Sequence, residues 1–276
     1  MCFGFGFSAQ HLAAILDKTE WCISGTSRSK EGVKAINSLG HEGILFDELK
    51  AFPSSVTHIL SSVPPDKLGD PVLRHFASAL SGQHLVWAAY LSTTGVYGDR
   101  AGALIDETAE LCPSGERGQA RVDAEKEWQA IANLPLHIFR LPGIYGAGRN
   151  QLQSVKDGTA KRIIKAGQIF SRIHVDDIAG ILKASMAKPN TGRIYNVADD
   201  EPCPPQDVVT FACALLGVAP PPEIPFSEAE LSPMARSFYA DSKRVSNARI
   251  KTELGYQLKY PNYRLGLTAL FLLSQK

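Results

Sequence analysis

Seven short apolar runs, set between helix-length patterns, constrain this chain more than any other feature. The runs are MCF (1–3), WCISG (21–25), GILF (43–46), THILSS (57–62), LVWAAYLS (85–92), LHIFRL (136–141) and RIYNVA (193–198). Several are apolar throughout instead of alternating, as strands are when both faces of a sheet are covered. Helical patterns fill the intervals near 8–17, 29–38, 70–81, 114–132 and 176–187. This alternation predicts an α/β fold, a doubly wound parallel sheet with helices on both faces. After Asp199 the character shifts to clustered prolines (CPPQ, APPPEIP, YPNY) around the helical stretches DVVTFACALLG and SKRVSNARIKTELG. We expect 1–145 plus 173–199 to form the sheet domain. A smaller C-terminal substrate lobe takes 146–172 plus 200–276.

Bulk properties narrow the function. A chain of 276 residues with 44% hydrophobic and 21% charged residues is that of a globular protein. A net charge of +1 and no polybasic run give no reason to expect nucleic acid or a membrane surface as partner. The five cysteines (Cys2, Cys22, Cys112, Cys203, Cys213) are widely spaced, with no CxxC pair and no zinc-like grouping with histidine. They read as free thiols in a reducing, cytoplasmic setting, and we expect no metal. No apolar run approaches the ~20 residues of a membrane helix. The start, MCFGFGF, lacks the features of a signal peptide.

The first strand runs into Gly4-Phe5-Gly6-Phe7-Ser8-Ala9, a GxGxxA pattern that opens the helix SAQHLAAIL. The first glycine permits a tight turn, the second lets a pyrophosphate approach the backbone, and the small third residue lets helix and strand pack closely. The helix N-terminus offers unsatisfied N–H groups to the phosphates. The second strand ends in Gly25-Thr26-Ser27-Arg28, without the carboxylate that would hold a ribose 2′-hydroxyl. A hydroxyl pair with an arginine suits a 2′-phosphate, so the expected cofactor is NADP, with NAD less favoured. Asp47, at the end of the third strand, is placed to reach the adenine. Ser61, Ser62 and Val63, at the end of the fourth, pass beside the adenosine ribose and pyrophosphate. The first strand has only three residues before Gly4, so it is either stunted or begins upstream of Met1.

Five landmarks then follow in order: GFGFSA (4–9), LSTTGVYGD (91–99), RLPGIYGAGR (140–149), RIHVDDIAG (172–180) and YNVADDEP (195–202), with the tail ELGYQLKYPNYRLGL (253–267). Together they resemble the extended short-chain dehydrogenase/reductase superfamily, in its NAD(P)-dependent epimerase/dehydratase branch. The resemblance implies a Rossmann-type sheet. Gly4, Gly6 and Ala9 would form the pyrophosphate turn, and Thr93 would be the catalytic hydroxyl that bonds the reacting oxygen. Pro142, Gly143 and Ile144 would lie beside the nicotinamide, and His174, Val175 and Asp176 behind the pocket. Asp176 and Asp177 read mainly as a helix cap. Family members are often homodimers.

The same resemblance calls for a Tyr-x-x-x-Lys pair at the start of the helix after the fifth strand. The segment there is Ser114-Gly-Glu-Arg117-Gly-Gln-Ala-Arg121, with Ser114 as the helix cap, Arg117 in the tyrosine slot and Arg121 in the lysine slot. Arginine, with a pKa above about 12, is no general base near neutral pH. Three readings follow. In one, Thr93, Arg117 and Arg121 grip an anionic or carbonyl-bearing small molecule in an atypical oxidoreductase or nucleotide-sugar epimerase/dehydratase-like enzyme. In another, the chain is a non-catalytic NADP-binding redox sensor or regulatory protein. In the third, the two arginines form salt bridges with Glu116, Asp123 or Glu125. Tyr97 and Tyr145 could supply a hydroxyl but more often pack in such motifs. Asp106 and Glu107 read as loop-orienting acids.

Overall fold

The computed structural model describes residues 1–82 and 84–275. The seven predicted runs become the seven strands of one parallel sheet: β1 (Cys2–Phe3), β2 (Ser24–Ser27), β3 (Glu42–Leu45), β4 (His58–Ser61), β5 (Trp87–Thr93), β6 (Leu136–Leu141) and β7 (Ile194–Asn196). Their spatial order is β3-β2-β1-β4-β5-β6-β7, which is the doubly wound Rossmann arrangement. Along β5 the side chains alternate between two helical layers. Trp87, Ala89 and Leu91 pack in one apolar cluster with α1 (Phe7–Ile15) and α6 (Val175–Ala187). Ala88 and Tyr90 pack in the opposite cluster with α3 (Pro71–Ser81) and α4 (Glu116–Gln129). Both faces of the strand are covered, which is why it reads as an unbroken apolar run.

Local signals set the helix starts. Ser29 caps α2 (Lys30–Ser38) by accepting from the Gly32 amide. Asp70 caps α3: its Oδ1 accepts from the Val72 and Leu73 amides, with Pro71 in the first turn. The other oxygen of Asp70 accepts from Trp128 Nε1 at 2.9 Å and joins α3 to α4. The start of α4 departs from expectation. Its cap is Gly115, because the Ser114 hydroxyl accepts from the Asp99 amide at 3.2 Å instead.

We infer that residues 146–172 and 200–276 supply most of a second lobe. Helices α5 (Gln151–Lys156), α7 (Pro205–Leu216) and α10 (Tyr263–Leu273) share a cluster with Leu152, Val208, Ala212, Leu267 and Leu270. Two short parallel pairs, 143–145 with 172–174 and 162–164 with 223–225, line its inner side. The stretch 242–255, read as one helix, is instead a two-residue strand, Arg244–Val245, paired with Leu104–Ile105, followed by a five-residue helix, Ala248–Thr252. Ile250 in that helix and Leu254 just after it enter the α1/α6 cluster, so this part of the C-terminal half packs into the sheet's core. A longer helix would carry those side chains away from it.

Replacing Asp70 with alanine removes the α3 cap and strands the buried Trp128 N–H. We expect a loss of about 2–4 kcal/mol in urea unfolding. A loss below about 1 kcal/mol would contradict this account of the α3–α4 junction.

Candidate active site

The sheet order reverses between β1 and β4, and the GxGxxA turn sits at that point, at the carboxyl ends of the strands. Gly4 has φ +76°, a left-handed conformation that glycine adopts without strain. Three bonds hold the turn. The Gly4 amide donates to Thr26 Oγ1 at 3.0 Å, the Phe5 amide to the Thr26 carbonyl at 3.2 Å, and Ser62 Oγ to the Gly4 carbonyl at 2.7 Å. A side chain at Gly4 would run into Ser62 and Val63, whereas a Cβ at Gly6 would meet nothing within 4 Å. Gly6 therefore faces open space at the head of α1. That helix has no side-chain cap and no acidic residue in its first turn. Ser8 and Ala9 are buried against the sheet, while Phe7 lies under the Arg149 guanidinium at 5.9 Å. The arrangement leaves N–H groups and helix dipole directed at a space suited to an anion.

The neighbouring strand ends are less uniform than the sequence implied. The buried Thr26 spends its hydroxyl on the turn, and Ser27 Oγ accepts from the Ser29 amide at 3.2 Å. Arg28 is exposed and makes no ion pair with the described residues. Asp47 lies exposed in a 3-10 turn after β3. Ser61, fully buried, has a hydroxyl without a partner.

A cavity of about 660 Å³ opens where β5 and β6 end. Thr93, Gly95, Pro142, Gly143 and Ile144 form its sheet-side wall, and residues of the second lobe form the other. Thr93 closes β5, and its Oγ1 accepts from the Gly95 amide at 3.1 Å, which leaves the hydroxyl proton free to donate. Arg117 and Arg121 do not line this cavity. Arg117 is exposed. Arg121 is turned back onto the sheet: one Nη1 donates to Tyr90 OH and to the Leu91 carbonyl, both at 2.9 Å. The expected salt bridges do not form either. Glu125 is buried and pairs with Arg140 through Nη2 at 2.7 Å and Nε at 3.1 Å.

That pair anchors a buried polar network behind Thr93. Ser92 Oγ donates to Glu125 at 2.5 Å, Arg140 Nη1 donates to Tyr97 OH at 2.8 Å, and Tyr97 OH donates to Asn196 Oδ1 at 2.7 Å. Glu107 accepts from the Asn196 amide at 2.8 Å and faces Arg249, whereas Asp106 closes a turn on Thr108. Tyr97 is fully buried with its hydroxyl engaged, and burial pushes its pKa up, so it is a structural member of this network. Burial also raises Tyr145, whose hydroxyl donates to the Asn262 carbonyl at 3.4 Å although its ring lines the cavity. The cap of α6 is His174, whose Nδ1 accepts from the Asp176 amide. Asp177 does something other than cap: it is buried and accepts from the Lys259 and Tyr260 amides and from Tyr256 OH.

Sequence reading missed the charged wall across from Thr93. Arg149, Lys161, Arg172 and Lys243 line the cavity, with Asp241 as the lone carboxylate. Lys243 is buried and donates to the Gly98 carbonyl at 2.7 Å and to Asp241 at 3.0 Å, and desolvation lowers its pKa. Arg172 opens the RIHVDDIAG landmark, in which only His174, Val175 and Asp176 were given roles. Lys243 stood in a stretch read as helix, and nothing local distinguished either. Close by, burial raises Asp199 to about 8 and lowers His174 to about 4. Among the described residues no group of three or more histidine, cysteine or acidic side chains could hold a metal ion, and no helix is long and apolar enough to cross a membrane.

With this geometry the comparisons with known proteins agree. No family model matches the chain. A structure of a functionally unknown conserved protein from Silicibacter pomeroyi is 50% identical, covers 100% of this chain and 98% of its own, and superposes with a TM-score of 0.95. A Methylobacillus flagellatus protein, provisionally assigned as an NAD-dependent epimerase/dehydratase, is 26% identical with a TM-score of 0.76 (100% and 98% covered). The 3-diazoavenalumate denitrifying reductase of a Streptomyces species is 26% identical over 89% of both chains. The chain shares its fold with, and resembles, the extended, atypical short-chain dehydrogenase/reductases of the NAD(P)-dependent epimerase/dehydratase branch.

Asp199 gives the site a pH signature. Its folded-state pKa lies above the unfolded value, so its stabilising contribution is full below about 4 and is lost as pH rises through 8. Asp199→Asn removes that dependence. The variant should gain stability relative to wild type as pH rises from about 5 to about 8 in urea unfolding. A difference that stays flat with pH would contradict a protonated Asp199.

Proposed function

We propose that the protein is an NADP(H)-dependent oxidoreductase acting on a small carbonyl compound, or on the corresponding alcohol, in the cavity beside Thr93. The observation that carries this reading is the uncapped α1 N-terminus with open space at Gly6, at the reversal point of the sheet. The residues fit a dinucleotide. Gly4, Gly6, Phe7, Ser8 and Ala9 would hold the diphosphate, and Ser62 and Val63 would flank the adenosine half. Arg28, exposed and free of ion pairs among the described residues, is available to a 2′-phosphate. The resemblance to epimerase/dehydratase-type proteins and the named reductase among the relatives support redox chemistry.

When bound, the nicotinamide supplies or accepts a hydride. Thr93, with its hydroxyl proton unspent, donates to the carbonyl oxygen and stabilises the negative charge that grows there. Pro142 and Ile144 shape the apolar wall on which the ring would lie. The proton that a tyrosine supplies elsewhere in the family needs another donor here. Tyr97 is engaged in the buried network, and Arg117 and Arg121 are off the cavity. Lys243 is a buried, cavity-lining ammonium with one N–H unspent after its bonds to Gly98 and Asp241, and desolvation moves its pKa toward neutrality, as suits a general acid.

The second reading, a sensor that binds NADP without turnover, is favoured by the missing Tyr-x-x-x-Lys pair alone. A panel of aldehydes and ketones with NADPH separates the two. Turnover that falls by about a hundredfold or more in Thr93→Val, with NADPH affinity retained, supports the enzyme. Tight NADPH binding with no turnover on any carbonyl leaves the sensor. For the cofactor itself, Arg28→Ala should weaken NADPH by about tenfold while NADH changes little. Equal losses for both would refute the 2′-phosphate contact.

A further inference from the structure

Arg172 is an anomaly in the cavity wall. The residue is 9% exposed, yet among the described residues no carboxylate lies within ion-pair distance of its guanidinium. What it does touch is neutral: Nη1 donates to Cys203 Sγ at 2.9 Å, and the guanidinium stands 5.3 Å over the Tyr263 ring. Burial pushes the Cys203 thiol up, so it stays protonated, and the nearby Asp199, also raised by burial, makes no ion pair with the guanidinium. A desolvated guanidinium without a counter-charge is costly, and such groups are found paired or facing a ligand that pairs with them. Tyr263, on the same wall, is fully buried and its hydroxyl has no partner. Around these two lie Phe170, Phe238 and Tyr239. The wall as a whole counts four cations against the single carboxylate Asp241.

We propose that Arg172, its guanidinium backed by the Tyr263 ring, binds the oxyanion of the substrate, and that the substrate is an aryl-bearing organic acid, a carboxylate or a phosphate ester. The flat apolar body packs against Phe170 and Tyr239, and its charged end meets the guanidinium. This rests on the reading that the cavity holds the substrate. It assigns the anion grip to the second lobe, in place of the Arg117/Arg121 pair.

Isothermal titration of the full chain, with and without NADPH, tests the proposal with benzoate, phenyl phosphate and the uncharged benzamide as probes. At least one of the two anions should bind about tenfold or more tighter than benzamide, which matches benzoate in shape but lacks its charge. Whichever anion wins identifies the oxyanion. Arg172→Gln should erase the preference and Arg172→Lys should keep part of it. Benzamide binding within about twofold of both anions, no binding of either anion, or a preference unchanged in Arg172→Gln would overturn the proposal. Should Arg172→Gln fail to fold, the wild-type comparison and the lysine variant still decide. A parallel NADPH titration separates this from the cofactor reading. Anion preference without NADPH binding sinks the cofactor reading alone, and NADPH binding without anion preference sinks this one alone.

Discussion

The buried ion pair of Glu125 and Arg140 is the interaction on which the site depends. It ties the middle of α4 to β6 and, through Ser92, Tyr97 and Asn196, to the end of β5, the turn after it and β7. Each partner is about 2–3% exposed at the side chain, so neither charge has water to fall back on. Removing one partner of such a pair costs about 3–5 kcal/mol because it strands the other. The pair recovers part of its own desolvation by bonding two further polar groups, Ser92 and Tyr97. Its consequence is geometric: Thr93 follows Ser92 directly and lies at the edge of the cavity, so the network that fixes Ser92 also fixes the hydroxyl proposed to meet the substrate.

The two arginines at the start of α4 take on a different meaning in this setting. A tyrosine and a lysine would reach into the pocket from those positions. Arg121 instead reaches back to satisfy the buried Tyr90 hydroxyl and the Leu91 carbonyl, and Arg117 stays in solvent. Chemistry that the helix no longer provides is matched by groups from the opposite wall. Lys243 is held between the Gly98 carbonyl and Asp241, and Arg172 is held without a counter-ion. The positive charge that faces the cavity thus comes from Arg149, Lys161, Arg172 and Lys243 and not from the helix start. In the cavity, low dielectric strengthens its grip on an anion.

Much of the fold was legible because the central strands are buried on both faces: β5 and β6 announce themselves as apolar runs, and β6 coincides with LHIFRL, whereas β2 is the polar stretch Ser24–Ser27, shifted past the apolar run 21–25. The short pairs of two or three residues left no such trace, since their partners lie 29 to 140 positions apart in the chain. The stretch 242–255 carries a helix-like pattern that tertiary contacts override, because Ile250 and Leu254 are needed in the α1/α6 cluster. At the site, the glycine turn could be read from local spacing, as backbone geometry depends on neighbours in sequence. The roles of Thr26, Asp177 and Tyr97 could not, because each is decided by a partner 22 to 99 positions away. The same holds for Arg172, whose significance lies in what is missing around it.

The central claim is that α1 presents its N-terminus to the diphosphate of NADP and that the nicotinamide then lies between Thr93 and Pro142. A crystal structure of the protein soaked with NADPH tests this most directly. The account predicts the diphosphate over Gly6, the 2′-phosphate on Arg28 and the nicotinamide ring facing the Thr93 hydroxyl. A dinucleotide bound elsewhere, or one whose nicotinamide lies outside the cavity shared by Thr93 and Arg172, would contradict it.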